Sequence, residues 1–231
     1  MSLVRLFPAG GKWNLCPVCN KGEEGLMVAS TLPIGILVSG RGSNMEAIAA
    51  AIEAGEVPAR IQAVISDRPE ARALELARER GLKAFCLAPG EYPSRQAYDL
   101  ALATALKKEG VELVALAGFM RLLGREFLEQ FPGAVINIHP ALLPAFPGLN
   151  AQRQALEYGV KFSGCTVHFV DAGMDTGPII AQAVVPVRND DTPETLAARI
   201  LAEEHRLYPR VIKWLAEGRV ELRGRRVIVR I

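Results

Sequence analysis

The sequence lacks the features that mark several large classes of protein. Among its 231 residues there are only four cysteines, at scattered positions, which excludes a disulfide-stapled secreted scaffold. The formal net charge of +2 is too balanced for a chain whose main partner is a nucleic acid or an anionic membrane surface. No apolar run approaches the ~20 residues that a membrane span requires. We therefore expect a soluble, cytoplasmic protein with neither nucleic acid nor a membrane as its partner.

The N-terminal segment differs from the rest of the chain. It has no compact apolar core or cleavage site of a signal peptide. Cys16 and Cys19 have the spacing of half a zinc site or of a thiol redox pair, but no second pair or nearby histidine completes the four ligands of zinc. We predict that residues 1–33 are an extension, either disordered or created by a start misassigned upstream of Met27, and that 34–231 form a single domain.

From residue 34 onward, short apolar runs alternate with helical patterns, which is typical of βαβ units and of a parallel sheet covered on both faces. The predicted strands are 34–39, 61–66, 84–87, 113–117 at the sheet centre, 134–138, and the antiparallel pair 166–170 and 179–187. The predicted helices are 44–54, 69–80, 94–108, 124–130 and 192–217, followed by a two-stranded tail over 220–231. The fold class is α/β: a Rossmann-like, doubly wound, mostly parallel sheet with an antiparallel C-terminal portion.

Three of these helices carry more detailed predictions. The second should begin at Pro69, because proline is favoured in a first helical turn. The third should turn Leu100 and Leu106 inward with its alanines. The last should start from Thr192 as N-cap and bend at Pro209.

A glycine-rich turn, GRGSN over 40–44, joins the first strand to the first helix. Free backbone N–H groups and the positive end of the helix dipole favour an anion such as phosphate there. The third glycine of a dinucleotide fingerprint and the Gly-Lys ending of a P-loop are both missing, so neither NAD nor ATP is indicated. The pattern is equally consistent with a plain tight turn in which Ser43 caps the helix.

Asn137 and His139 stand two residues apart at a strand end, so their side chains face the same side. An amide N–H stabilises an oxyanion and an imidazole exchanges protons near neutral pH, which together suit addition to a carbonyl. Asp175, in the connection between the antiparallel strands, would raise the pKa of His139 if it lay close. The alternatives are a polar strand end and an aspartate that only forms a turn.

The remaining histidines and two missing motifs argue against a metal site and against a serine nucleophile. His168 alternates within a strand and has no partner at metal spacing, which indicates a structural role or a contact one step removed from the reactive groups. His205 is equally well explained as a helix-face residue. Neither a Gly-x-Ser-x-Gly nucleophile elbow nor a His-Glu-x-x-His site is present, so we expect no metal.

Four stretches together resemble the phosphoribosylglycinamide formyltransferase family, the folate-dependent enzymes of purine synthesis. They are SGRGSN over 39–44, LAGFMRL over 116–122, VINIHPALLP over 135–144 with FPG over 146–148, and TVHFV over 166–170 with MDTGP over 174–178. The resemblance implies a formyltransferase fold and transfer of the formyl group of 10-formyltetrahydrofolate to the amine of N1-(5-phosphoribosyl)glycinamide. The products would be the N2-formyl compound and tetrahydrofolate, in de novo synthesis of IMP. It implies small-molecule substrates, no metal, and a monomer or homodimer.

The resemblance also implies a role for each matched position. Asn137 and His139 would stabilise the developing oxyanion, His139 would be the general acid, and Asp175 would raise the pKa of His139. The ribonucleotide would contact Gly42, Ser43, Asn44, Leu201, Ala202, Glu203 and Glu204. The folate would contact Arg95, Met120, Arg121, Leu122, Leu123, Asn137, Asp171, Ala172, Gly173, Met174 and Asp175.

Three other functions share parts of this pattern. Methionyl-tRNA formyltransferases append a C-terminal barrel for RNA, and we expect no room for one after the last helix. Formyltetrahydrofolate deformylases carry an N-terminal regulatory domain of about eighty residues, which 33 residues cannot form. A non-catalytic nucleotide- or folate-binding module would use the fold alone, but it would not need Asn137, His139 and Asp175 together.

Overall fold

Nine strands and six α-helices follow one another in the computed structural model, which describes residues 31–230. The strands are β1 (Leu32–Val38), β2 (Ala59–Ser66), β3 (Ala84–Cys86), β4 (Leu113–Leu116), β5 (Val135–His139), β6 (Phe162–Phe169), β7 (Ile179–Pro186), β8 (Val220–Arg223) and β9 (Arg226–Val229). The helices are α1 (Ser43–Glu53), α2 (Arg72–Glu79), α3 (Arg95–Lys108), α4 (Arg125–Leu128), α5 (Ala151–Tyr158) and α6 (Pro193–Ala216). Cys16, Cys19 and Met27 lie outside the described residues.

Seven of the strands form one sheet in the order β3-β2-β1-β4-β5-β6-β7. The first five are parallel, and β6 and β7 run antiparallel to their neighbours. The predicted fold class is therefore confirmed, with β4 at the centre. Because the chain moves outward from β1 to β3 and then returns to β4 on the other side, a crevice opens above the carboxyl ends of β1 and β4.

Helices cover both faces of the sheet, as the near-continuous apolar strands predict. Along β1, Ile34, Ile36 and Val38 face the layer that contains α1 and α6, whereas Leu37 faces the layer with α3. A Cβ on Gly35 would lie 2.5 Å from Leu106, so this glycine allows α3 to approach the sheet closely.

Helix α6 is tied to the middle of the sheet through a buried tyrosine. The hydroxyl of Tyr208 lies 3.0 Å from the carbonyl oxygen of Leu116 and 3.1 Å from that of Ile136. Those carbonyls belong to the last residue of β4 and to the second residue of β5, directly before Asn137. The hydroxyl thus holds the helix and the two strands together at this point.

Three details of the predicted helices are corrected. Helix α2 begins at Arg72 instead of Pro69, because residues 69–70 form a turn and Ala71 is extended, with ψ 119°. Leu100 is 45% exposed, and α3 instead buries Tyr98 and Leu102. No helix was predicted for the residues that form α5. Thr192 caps α6 as predicted, and the helix runs unbroken past Pro209.

Candidate active site

A cleft of about 1150 Å³ lies over the carboxyl ends of β1, β4 and β5. Its walls are the turns that follow these strands, the connection from β6 to β7, and the side of α6. The turns meet here because the strands are parallel and end at the same edge of the sheet. This cleft contains most of the site residues predicted from the sequence.

Asn137, His139 and Asp175 meet in the middle of the cleft. Nδ1 of His139 lies 3.3 Å from Oδ2 of Asp175, and Nδ2 of Asn137 lies 3.5 Å from Oδ1 of the same carboxylate. Asn137 and His139 end β5, with Ile138 between them buried in the core, as the strand alternation predicts. The three side chains are therefore placed to act on one ligand atom.

Two main-chain groups of the loop after β5 form hydrogen bonds with the side chains of His139 and Asp175. The carbonyl oxygen of Phe146 lies 2.8 Å from Nε2 of His139, and a carbonyl can only accept, so Nε2 carries a hydrogen. The N–H of Gly148 donates to Oδ2 of Asp175 at 2.8 Å. Asp175 itself has a φ of 54°, a left-handed backbone that turns its side chain back toward β5.

His168 forms the fourth member of the cluster. Its Nδ1 lies 2.8 Å from the carbonyl oxygen of Phe169 and therefore carries a hydrogen. Its Nε2 faces Nδ2 of Asn137 at 3.2 Å and Oδ1 of Asp175 at 3.6 Å. In the neutral ring Nε2 accepts a hydrogen from the Asn137 amide, so His168 fixes which end of that amide points toward it.

Opposing influences act on the pKa of His139. Burial is the largest and lowers this pKa, while the Phe146 carbonyl and the charge of Asp175 raise it. Asp175 therefore acts on the pKa of His139 in the predicted direction. The net pKa nevertheless lies below the usual value, because burial outweighs the carboxylate. For Asp175, burial raises the pKa, but His168, Gly148 and His139 together leave it below its ordinary value.

One end of the cleft is formed by the turn after β1. Gly42 precedes α1 in a left-handed conformation with φ 86°, and the helix begins at Ser43. The N-cap is Gly42 and no side chain caps it, so the reading of Ser43 as cap is wrong. The first N–H groups of an uncapped helix end are available to an anion.

The other end of the cleft is more apolar. Met120 and Leu122 after β4, and Met174 in the β6–β7 connection, line it with half or more of their side-chain surface exposed. Large exposed apolar side chains grouped around a concave surface are typical of a binding site for a flat, partly apolar ligand. The cleft therefore runs from the uncapped N-terminal end of α1, past the histidine–aspartate cluster, to an apolar end.

Comparison with known proteins places this geometry in a family. Residues 33–212 match the model of a family described as formyl transferase. The chain belongs to the formyl transferase family. It is 45% identical over 180 residues to the phosphoribosylglycinamide formyltransferase of Bacillus subtilis, covering 78% of this chain and 92% of that protein.

Longer and solved members of the formyl transferase family also match. The chain is 47% identical over 187 residues to the trifunctional purine biosynthetic protein adenosine-3 of Drosophila pseudoobscura, covering 80% of this chain but only 14% of that protein. The crystal structure of glycinamide ribonucleotide transformylase 1 from Symbiobacterium toebii superposes with a TM-score of 0.87 at 55% identity, covering 90% of this chain and 99% of that one.

Four residues predicted for the site of this formyl transferase do not line the cleft. Ala202 is exposed, and Glu203 pairs with Arg206 at 2.8 Å on the outside of α6. Ala172 is exposed in its connection. Arg95 does not line the cleft; its Nη2 donates to the carbonyl oxygen of Leu122, a cleft residue, at 2.8 Å. The other predicted residues line the cleft.

Several groups that line the cleft of this formyl transferase, or that contact its reactive side chains, could not be predicted from the sequence. The Phe146 carbonyl and the Gly148 N–H act through the main chain, which residue type does not report. Arg68 and Gln152 line the cleft from a turn and a helix start that no motif marks. Glu194 lies in the first turn of α6, whose start was predicted, but its position beside the cleft was not. His168 was recognised, but its contact with Asp175 depends on the register between β5 and β6, which pairs it with Asn137.

The described part of this formyl transferase contains neither a metal-binding cluster nor a membrane-spanning helix. Within 31–230, no three histidine, cysteine, aspartate or glutamate side chains are grouped so that they could hold a metal ion. None of the helices in that range combines the length and the apolar character needed to cross a membrane.

Proposed function

We propose that this chain is a phosphoribosylglycinamide formyltransferase, which transfers the formyl group of 10-formyltetrahydrofolate to the amine of N1-(5-phosphoribosyl)glycinamide in purine synthesis. The observation that carries the proposal is the meeting of Asn137, His139 and Asp175 between an anion-binding end and an apolar end of one cleft. Transfer between a phosphorylated amine and a ring-bearing donor needs that order of subsites. The relatives with this name support the same conclusion.

The reaction begins when the amine of the ribonucleotide attacks the formyl carbon. The carbonyl oxygen becomes an oxyanion, which the Asn137 amide and the charged form of His139, with a hydrogen on Nδ1, would stabilise. Asn137 now contacts Asp175 at 3.5 Å, a long bond that can be exchanged for a shorter one when a ligand binds. Collapse breaks the bond from the formyl carbon to the folate nitrogen, and that nitrogen gains the proton that the amine loses.

His139 exchanges its proton through one particular nitrogen. Nε2 donates to Phe146, away from the cleft, so Nδ1 faces the reacting atoms beside Asp175. A carboxylate 3.3 Å from Nδ1 stabilises the imidazolium as it forms. We assign His139 as general acid and Asp175 as the group that favours its charged form.

Each of the two substrates is proposed to bind at its own end of the cleft. The phosphate is proposed to occupy the N-terminal end of α1, at Gly42, Ser43 and Asn44, with Leu201 and Glu204 beside the ribose and glycinamide. The folate ring system is proposed to lie against residues 120–123 and the Asp171–Asp175 connection. Arg95 then supports this end through the main chain of Leu122 rather than by touching the ligand.

The setting of the enzyme is part of the same proposal. Residues 34–231 act as one domain, as a monomer or homodimer, in the cytoplasm and without a nucleic-acid partner. The small net charge and the low cysteine content support this.

The purified protein supplies the test. It is incubated with 10-formyltetrahydrofolate and N1-(5-phosphoribosyl)glycinamide, and the expected products are tetrahydrofolate and the N2-formyl compound. Parallel reactions replace the amine with water or with charged methionyl-tRNA. Release of free formate, or formylation of the tRNA at a higher rate, would contradict the proposal. Folate binding without turnover would favour a binding module.

A further inference from the structure

The hydroxyl of Thr166 forms three hydrogen bonds, two of them to the loop of residues 140–148, which follows β5. Oγ1 of Thr166 donates to the carbonyl oxygen of Ala141 at 2.7 Å and accepts from the N–H of Leu143 at 3.0 Å. It accepts a third bond at 3.0 Å from Nε2 of Gln182. A hydroxyl has one hydrogen and two lone pairs, so all of its bonding capacity is used. Thr166 is fully buried and pairs with His139 in the β5–β6 register.

Gln182 completes this arrangement from the edge strand β7. Its Nε2 also donates to the carbonyl oxygen of Leu143, at 2.9 Å. Because that carbonyl can only accept, the amide nitrogen and not the amide oxygen must face the loop. The two hydrogens of Nε2 therefore join the loop to Thr166, although the glutamine residue as a whole is exposed.

The side of the loop that faces away from the reactive cluster borders an open apolar cavity of about 440 Å³, lined by Leu142 and Phe146 of the loop and by Tyr158 and Phe162 of α5 and β6. On that side the ring of Phe146 contacts the ring of Tyr158, with centroids 5.8 Å apart. Ala141 and Leu143 of the loop are buried. The polar contacts of Thr166 and Gln182 add to this packing and fix the main chain at Ala141 and Leu143 directly.

The other side of the loop supplies both main-chain contacts of the reactive pair. The Phe146 carbonyl accepts from Nε2 of His139, and the Gly148 N–H donates to Asp175. We propose that Gln182 is a positioning residue for formyl transfer: acting through Thr166 and Leu143, it holds this loop so that His139 and Asp175 keep their mutual orientation. The inference rests on the proposed function for its kinetic part only.

The test uses Gln182→Met, which keeps the length of the side chain and removes both donors. We expect kcat for formyl transfer to fall about tenfold, with the KM of each substrate changed less than twofold, because orientation and not binding is lost. The pKa of His139, followed by NMR in the free protein, should fall as well, since the Phe146 carbonyl favours the charged ring. Gln182→Lys, which restores a donor, should recover most of the rate.

Gln130→Met is the control for the chemical change, because this glutamine accepts a single side-chain hydrogen bond, from Nζ of Lys107, and lies away from the loop. It should leave kcat and the pKa of His139 unchanged. An unaltered rate and unaltered pKa in Gln182→Met would overturn the inference, as would an equal loss in Gln182→Lys. If wild-type protein transferred no formyl group, the proposed function would fail, and the NMR comparison would still decide the role of Gln182.

Discussion

Asn44 and Glu204, which are 160 positions apart in the sequence, are joined by a buried hydrogen bond in which Nδ2 of Asn44 lies 2.7 Å from Oε2 of Glu204. Burial, opposed by this bond, raises the pKa of Glu204. Among the described residues, Oδ1 of Asn44 has no partner, although it too is buried. An unpaired buried acceptor at a cleft wall is suited to a ligand donor. The pair thus links the anion-binding turn to α6.

Removal of the Glu204 carboxylate should weaken ribonucleotide binding. In Glu204→Ala we expect the KM for the ribonucleotide to rise about tenfold or more, because a buried bonding partner is lost and Asn44 is left unpaired. The KM for the folate should stay within about twofold, since Glu204 lies at the other end of the cleft. Steady-state kinetics with each substrate varied in turn measures both. Glu203→Ala, one residue away but outside the cleft, should behave like wild type; equal effects of the two variants would contradict the assignment.

Loss of either reactive side chain should act on turnover. His139→Ala or Asp175→Asn is expected to lower kcat by about a hundredfold or more, the usual loss when a general acid is removed or disabled. Single-turnover formyl transfer at saturating substrates measures this step. Asp190→Asn makes the same chemical change at an exposed position and should keep the wild-type rate. A near-normal rate for either reactive variant would exclude the proposed mechanism.

The pKa of His139 in the free protein should lie below 6.5, because burial outweighs the groups that favour its charge. Asp175→Asn should lower it further, since the carboxylate stabilises the imidazolium. A depressed folded pKa means that the stability contributed by His139 is present above about pH 6.5 and is lost as the pH falls through the folded value. NMR titration of the imidazole measures the shift, and a higher pKa in Asp175→Asn would refute this account.

Gly42 cannot be replaced without moving α2. Its φ is 86°, and an added Cβ would lie 2.8 Å from both Cα and Cβ of Ala73. Gly42→Ala should therefore lower the free energy of unfolding by about 1–3 kcal/mol, the cost of a strained left-handed residue, and raise the KM for the phosphorylated substrate. Denaturant unfolding measures the first effect. Gly90→Ala, where nothing lies within 4 Å, should change neither quantity.

The strands and the shared face of Asn137 and His139 could be predicted because they rest on local patterns. Alternation along β5 places Asn137 and His139 on one face whatever the rest of the chain does, and the caps at Ser94 and Thr192 locate the starts of α3 and α6. Helix α5 escaped prediction because it buries only Ala151 and Ala155 and starts after Asn150 without a side-chain cap. Its position depends on the packing of the loop before it, which no local pattern reports.

The predicted site residues that do not line the cleft show the same limit. Glu203 and Glu204 are adjacent and identical in type, yet the rotation of α6 buries one against Asn44 and turns the other toward Arg206. The pKa of His139 depends mainly on how deeply the ring is buried, and the sequence does not give the extent of that burial. Arg95 was expected at the ligand, but its Nη2 donates to the main-chain carbonyl of Leu122 and the side chain does not line the cleft.

The hydroxyl of Tyr208 has a consequence for the dimensions of the cleft. Tyr208 follows Glu204 by one helical turn and contacts the last residue of β4 and the residue directly before Asn137 in β5. Glu204 and Asn137 are therefore carried by a single rigid frame, and the span between them is set by the sheet itself. Any ligand that contacts both has to match that span.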